Sequence, residues 1–396
     1  GAETALYGHV NQMLRYGDDG TKTTTDVLDN GSNETRLGLR FTNPLTGGWD
    51  LTVGGKVEAA LRTTSSVNQS LNNTFGTGMP PFPSDSLSIV NDSVEMRYAD
   101  AWLDSRWGRV SLGRGDGAAR FAQRVDLSGT DLANNWDNRR SYAIRWKDAL
   151  GVDFANLRLG DTFRTYEGMR TDRVRYDTPE IGGFKLGISR DNGRAGNYEI
   201  GLTWGLDLVA DALEGSSQGS SAGSSALLSS MAADNDALKL RFALGYSNNP
   251  APQGSDNLSN ADPVDDRLVF SGSVLIPGGF NVTGGWGQER FQAVNNVKMK
   301  SNSSYFIKGG WRSGAHAVSV DYTKSSDIAF IAGTGMLDAK SIGAAYSYRL
   351  SLGEKLNLDT YVGYERYSAD NKTGNQDPED IDVWTAGVRV PFNVNF

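Results

Sequence analysis

Basic side chains recur at every second position in several short stretches, each time with an apolar residue between them. Arg173 and Arg175 flank Val174, and Tyr176 follows on the apolar parity. Arg36 and Arg40 alternate with Leu37, Leu39 and Phe41; Lys56 and Arg62 alternate with Val53, Val57 and Leu61. Lys239 and Arg241 oppose Leu238, Leu240 and Phe242. A period of two puts the cations on one face of a β-strand and the apolar residues on the other. By the same parity Arg97, Lys308, Arg312, Arg349 and Arg389 join the basic face, with Asp50, Glu58, Glu199, Asp321, Asp359 and Glu365 opposed to them. Fixed guanidinium and ammonium groups in a row act by field and by hydrogen bonding to anions, without bond making.

Nothing in the chain composes a catalytic site. There are two histidines, His9 and His316. His9 falls on the polar parity of its strand and His316 at an apolar edge with Val318, Val320 and Tyr322. Neither has the serine that a Ser-His-Asp arrangement needs. Gly113-Arg114-Gly115-Asp116-Gly117 is glycine-rich but opens no helix, so it reads as a loop start and not a phosphate cradle. Cysteine is absent, which removes disulfides and thiolate metal sites. Asp256, Asp262, Asp265 and Asp266 in one polar stretch, and Asp377, Glu379, Asp380 and Asp382 in another, lack the spacing of a calcium loop. The reading is of a non-enzyme with no cofactor and no metal.

The elements that carry the basic rows are amphipathic strands. The last runs Trp384, Ala386, Val388, Val390, Phe392, Val394, Phe396 on one parity and Thr385, Gly387, Arg389, Asn393 and Asn395 on the other. It is long enough to cross a bilayer, and its pattern recurs through the chain. Strands are expected at 3–16, 35–43, 49–63, 93–104, 109–115, 171–178, 183–191, 197–206, 236–248, 266–276, 280–291, 303–313, 315–325, 338–350, 355–368 and 381–396. The alternation slips near Ala99, which predicts a bulge there. Long polar connections (17–34, 64–91, 249–265, 292–302, 326–337, 369–380) alternate with tight ones (277–279, 313–315, 351–354). Aromatics gather beside the tight turns: Phe41 and Trp49, Tyr176 and Phe184, Trp311. Long-short alternation and an aromatic girdle are the marks of a closed transmembrane barrel. The fold class is therefore all-β, one antiparallel barrel domain over 1–396 with sixteen strands. Two segments break the pattern. Residues 116–170 exceed a simple loop, and alternation at Tyr142, Ile144 and Trp146 leaves an eighteen-strand count open. Residues 207–235 hold a Gly/Ser-rich run, Gly215 to Ser225, that reads as a flexible insertion.

Composition agrees. Mean hydropathy is −0.44, as expected when only alternate residues meet lipid, and the net charge of −8 argues against a nucleic-acid partner. Gly1-Ala2-Glu3 leads straight into a strand, as in a processed chain.

Several segments together resemble the general porins of Gram-negative outer membranes. Arg109-Val110-Ser111-Leu112-Gly113-Arg114 resembles the strand before that family's constriction loop. Arg173-Val174-Arg175-Tyr176-Asp177-Thr178-Pro179 with Gly183-Phe184 resembles the strand and turn after it, and Val125-Asp126-Leu127-Ser128-Gly129-Thr130 lies between. The resemblance implies a homotrimer in the outer membrane, in contact with lipopolysaccharide, that passes small hydrophilic solutes. It implies a loop, here 116–170, folded into the lumen with acids (candidates Asp116, Asp126, Asp131 and Asp137) facing a basic wall. Arg114 is the motif's wall position, beside Arg36, Arg40, Lys56, Arg62, Arg97, Arg173 and Arg175. It also implies that Phe396 is the signal read by the barrel-assembly machinery. The acidic outer loops are either simply solvated or bridged to lipopolysaccharide by divalent cations. Two rival functions share the fold: a channel selective for a sugar or a particular anion, and a plugged structural or adhesin-like barrel.

Overall fold

The computed structural model describes the chain except for residues 46, 72–92, 193–195, 207–237, 251–263, 294–295, 331–333 and 355, and the side chains of Arg62 and Ser93. The expected insertion at 207–235, the proline-rich stretch Met79–Pro83, Asp256, Asp262 and the wall position of the Arg62 side chain lie outside the described residues.

The wall begins with β1 (Glu3–Asp18), β2 (Thr23–Asp29), β3 (Arg36–Pro44), β4 (Thr52–Arg62), β5 (Ser93–Ser105) and β6 (Gly108–Asp116). A long connection follows, holding β7 (Arg145–Lys147) and β8 (Asp153–Arg158). The wall resumes with β9 (Arg170–Asp177), β10 (Phe184–Asp191), β11 (Tyr198–Leu206), β12 (Lys239–Asn248), β13 (Val264–Leu275) and β14 (Phe280–Phe291). It ends with β15 (Asn302–Ser313), β16 (His316–Phe330), β17 (Gly335–Ser351), β18 (Asn357–Asn371) and β19 (Ile381–Asn395). Each wall strand pairs antiparallel with its neighbours, and β19 returns to β1 from Ala5↔Asn395 to Asp18↔Asp382. Closure leaves no free edge, which is what allows strands to stand in lipid.

The wall has sixteen positions. β2 lies inside the expected loop 17–34, yet it adds no position. It pairs with the upper half of β1, from Gln12↔Asp29 to Asp18↔Thr23, while β3 pairs with the lower half, from Glu3↔Thr42 to His9↔Arg36. The two strands share one place, and residues 30–35 between them turn into the lumen. Val27 is the only strongly apolar residue on the outer parity of β2, so alternation gave no sign of it. The eighteen-strand count is overturned: β7 and β8 form a separate two-stranded ribbon within the long connection.

The bulge sits two residues before the expected place. Pairing of β4 with β5 steps from Glu58↔Tyr98 to Ala59↔Met96, leaving Arg97 extra. Because a bulge lets neighbouring side chains share a face, Arg97 and Tyr98 are both buried on the inner side.

The outer surface carries the apolar parity of every strand. Near the tight turns it is aromatic. Phe184 packs on Trp204 and Phe280 on Trp311, with ring centres 6.0 and 6.4 Å apart. Trp204 Nε1 donates to Gly182 O at 3.3 Å, and Trp311 Nε1 to Gly278 O at 3.1 Å. An indole that faces lipid with its ring and a turn carbonyl with its N–H suits a membrane interface. The turn itself needs glycine. Gly278 and Gly279 both hold φ near 96°, and a Cβ on Gly279 would stand 1.9 Å from Arg312 O.

A candidate pore constriction

Residues 117–169 fold into the lumen and are bonded to its wall at many points, while the ribbon tip with Leu150 and Val152 stands exposed. Gly117 N donates to Met169 O at 2.8 Å and closes the neck. The first limb lies on a row of three inward glycines, Gly187, Gly201 and Gly245, paired directly across β10, β11 and β12. Without side chains there, the wall admits Ala118, Ala119 and Ala122. A Cβ on Gly201 would sit 1.8 Å from Ala118 O, and one on Gly245 would sit 2.8 Å from Ala122 Cβ. Ala118 N donates to Ser189 Oγ, and the Glu199 carboxylate accepts from Ala119 N at 2.9 Å and Met169 N at 3.2 Å.

Further along, loop amides meet wall hydroxyls at the strand period. Val125 N donates to Ser271 Oγ at 3.1 Å and Leu127 N to Ser273 Oγ at 3.0 Å. Lys308 Nζ then ties the turn together, donating to Asp126 Oδ2 and to Asn134 O, each at 2.6 Å. Asn134 lies against Gly343 and Gly363 and donates to Asp321 Oδ2 at 3.2 Å.

The outer part of the loop carries its own core. Ile144, Trp146, Leu157, Leu159 and Phe163 pack against Ile328, Phe330, Leu337, Tyr367, Ile381 and Val383. Those wall side chains point inward. The inner face, polar elsewhere by parity, is apolar at the loop end of β16 to β19 because a folded piece of the loop covers it. The loop thus takes the side of the barrel from β10 round to β19. Facing it across the remaining lumen are β3 to β6 and β9.

On that side Arg97 bridges Glu34 and Glu58, its Nε donating to Glu58 Oε2 at 2.7 Å. Arg36 Nε donates to Glu34 O at 2.7 Å. Lys56 Nζ stands 3.6 Å from the centre of the Tyr98 ring, and Arg40 lies 5.4 Å from that of Trp102. Arg173 and Arg175 are turned to the loop neck. Arg173 Nε and Arg175 Nη1 donate to Asp116 O at 2.9 and 3.2 Å, and Arg175 forks onto Asp177 at 2.9 Å. Their chemistry is positioning: they hold the carbonyls of the loop neck, and Arg173 Nη2 also donates to Asp100 Oδ2 at 3.1 Å.

Arg114 is a correction. It shares its parity with Val110 and Leu112, which face outward, while Ser111 faces in. Its Nε donates to Met96 O at 3.1 Å on the outer side. The motif suggested a wall position, and register denies it.

The four acids also stand differently from the expectation that they face the basic wall. Asp116 is fully buried and accepts from Tyr98 OH at 2.9 Å. Asp126 is held by Lys308. Asp137 lies beneath Arg139 and Arg124, at 2.9 and 3.1 Å. Burial alone would raise its pKa, but Arg139, Arg124 and Arg120 outweigh burial and hold the carboxyl below the usual range. Asp131 differs. Its Oδ1 is buried without a partner, and burial first, then the Asp126 charge, push the carboxyl up to about 7, against Lys308 and Arg389. In the cluster of Arg124, Arg139, Asp137 and Glu167 the cations are the more exposed groups and the acids lie underneath. Arg124 and Arg139 retain 20% and 29% of their side-chain surface, against 4% for Asp137 and 0% for Glu167.

Sequence reasoning missed Glu34, Glu167, Asp100 and the inner glycines. The glycine row was the findable signal, since Gly187, Gly201 and Gly245 each fall on the polar parity of an otherwise regular strand.

Asp131 yields a pH dependence. The folded chain binds this proton more tightly than the unfolded chain. Its contribution is fully present below the ordinary carboxylate pKa of about 4 and is lost as pH rises through about 7. Asp131→Asn should therefore shrink the drop in melting temperature between about pH 5 and about pH 8. Equal drops in the two proteins would show that Asp131 is ordinary.

A family model described as Gram-negative porin matches residues 2–372. Among curated proteins no sequence matches. The fold is similar to that of the anion-selective porin from Comamonas acidovorans (TM-score 0.59, 15% identity, 99% of this chain and 100% of that one). It is similar to the trimer form of OmpT, an outer membrane protein of Vibrio cholerae (0.53, 12%, 99% and 100%). It is also similar to Salmonella typhi OmpF, solved in complex with daunomycin (0.54, 14%, 98% and 97%). The closed sixteen-strand wall and the family match over nearly the whole chain agree, and the protein belongs to the Gram-negative porin family of outer-membrane channels.

Proposed function

We propose that solutes cross along one side of the lumen, between the loop's first limb and strands β3 to β6 and β9, with a modest preference for anions. The observation that carries this is the asymmetry of exposure there. The partly exposed charges there include Arg40, Arg124, Arg139 and Arg170, while Asp116, Asp137 and Glu167 beside them are buried. Charge at a narrow point is felt strongly because low-dielectric walls focus its field. The preference is modest because Glu58, Asp137 and Glu167 still cancel much of the basic charge. No step needs a bond to be made or broken, so this is a channel and not an enzyme.

A sugar path would need aromatics in the open lane. Tyr361 and Phe306 do not serve: Tyr361 OH donates to Asn11 Oδ1, and Phe306 stacks on Trp136 under the loop. The plugged barrel has one observation in its favour, the apolar core between loop and wall. Liposome swelling separates the two readings. Swelling that falls steadily with solute size supports the lane; no swelling with any solute supports the plug.

Trimer assembly is part of the proposal. The outer face of β4 and β5 is smooth, with Gly55, Val57, Ala59, Ala99, Ala101 and Leu103, and such a face suits a second copy. A monomeric mass in mild detergent would count against it. Phe396 lies exposed, its N bonded to Thr4 O at 2.8 Å, and is proposed as the contact for the assembly machinery. In the outer loops Asp380 and Asp382 are already paired with Arg366. Lipopolysaccharide contact through bridging cations therefore remains a proposal for the acids left over.

A further inference from the structure

Phe121 is the one aromatic residue with a left-handed backbone among the described residues, at φ 65°. A bulky side chain there is strained, and the strain persists only where the surroundings fix the chain. They do so here. Ala118 and Ala119 before it and Ala122 after it are pinned into the glycine row, and Arg124 N donates to Phe121 O at 3.0 Å. With the three alanines turned to the wall, Phe121 stands off it, half-buried, beside the open lane. Arg120 and Arg124 lie 5.5 and 5.2 Å from its ring centre. Arg124 and Arg139 converge on the same oxygen of Asp137 and stay partly exposed above it. An aromatic ring with guanidinium groups over it and the balancing acids underneath is chemically matched to a flat ring bearing a negative charge, which can extend that stack.

We propose that Phe121, Arg124 and Arg139 form a subsite for small aromatic carboxylates on their way through the channel. The ring lies on Phe121 and the carboxylate accepts from the outer N–H groups of Arg139 and Arg124. This rests on the channel reading above. Stacking favours an aromatic ring over a saturated one of the same size, and the guanidinium groups favour an acid over a neutral molecule.

The test compares benzoate with cyclohexanecarboxylate as blockers of chloride current through the trimer or monomer as purified, in a planar bilayer. The wild-type channel should be half-blocked by benzoate at a concentration roughly threefold to tenfold lower than by cyclohexanecarboxylate. Phe121→Leu, as strained at this φ as phenylalanine but without a π-face, should bring that ratio to about one. Arg139→Gln should weaken both acids and keep the ratio. A wild-type ratio of one, a ratio unmoved by Phe121→Leu, or potencies unmoved by Arg139→Gln overturns the subsite. If the barrel carries no current, the channel reading fails. The subsite is then decided by saturation-transfer NMR of the two acids on the detergent-solubilised protein, where equal signals overturn it.

Discussion

Replacing Lys308 with methionine should loosen the loop more than any other single change in the wall. The ammonium is fully buried, and it holds Asp126 Oδ2 and Asn134 O at 2.6 Å while reaching Ser128 and Thr130 at 3.4 Å. Methionine fills the space but leaves the Asp126 carboxylate buried without its partner. Breaking a buried pair from one side costs about 3–5 kcal/mol. The loop has other attachments, so the barrel should still close while the segment from Asp126 to Asn134 detaches. Single-channel records should show noisier and larger steps than wild type, and the melting temperature should fall. Asp126→Asn in the same background should recover part of the loss, because it removes the stranded charge. Quiet wild-type records from Lys308→Met would mean that Lys308 does not hold the loop.

Gly201→Ala should act on the other end of the loop through a collision. The added Cβ would fall 1.8 Å from Ala118 O and 2.8 Å from Ala118 C, which are backbone atoms. That backbone cannot step aside freely, because Gly117 is tied to Met169, and Ala119 to both Glu199 and Gly168. Overpacking costs about 1–3 kcal/mol where side chains can yield, and more is expected where they cannot. The first limb should leave its groove, taking Phe121 and Arg124 with it, and conductance and selectivity should change together. Gly187→Ala is the matched control. Its Cβ would meet an Asp177 carboxylate oxygen at 2.7 Å and only touch Ala118 Cβ at 3.5 Å, so a side-chain adjustment accommodates it. The glycine groove is disproved if the two variants conduct alike.

The barrel was legible because lipid on one side enforces a strict alternation, and the sixteen expected strands correspond one to one with the wall. Where the rule weakened, so did the reading. β2 carries three threonines and two aspartates, with Val27 alone apolar on its outer parity, and only pairing with β1 defines it. The bulge was expected near Ala99 and falls at Arg97, because alternation breaks visibly only after the extra residue has shifted the parity. The inner face was harder. Its polarity says where water or polar atoms lie, but a loop hydroxyl or carbonyl satisfies a lumen arginine as well as water does. Nothing in Arg173 or Arg175 tells whether each meets solvent or, as here, Asp116 O. Arg114 was misplaced because a motif was preferred to parity with Leu112. The apolar inner residues Ile381 and Val383 stand opposite in register to Trp384, and their partner, the 145–158 ribbon, is too far away in sequence for local periodicity to show.

Water is proposed to run past the loop along a lane whose exposed charge is basic. The direct measurement is the current through single wild-type channels in a planar bilayer under a KCl gradient. Discrete, stable conductance steps are expected, with a reversal potential displaced modestly toward that of chloride. A barrel that inserts without conducting, or one that conducts with strong preference for potassium, would contradict it.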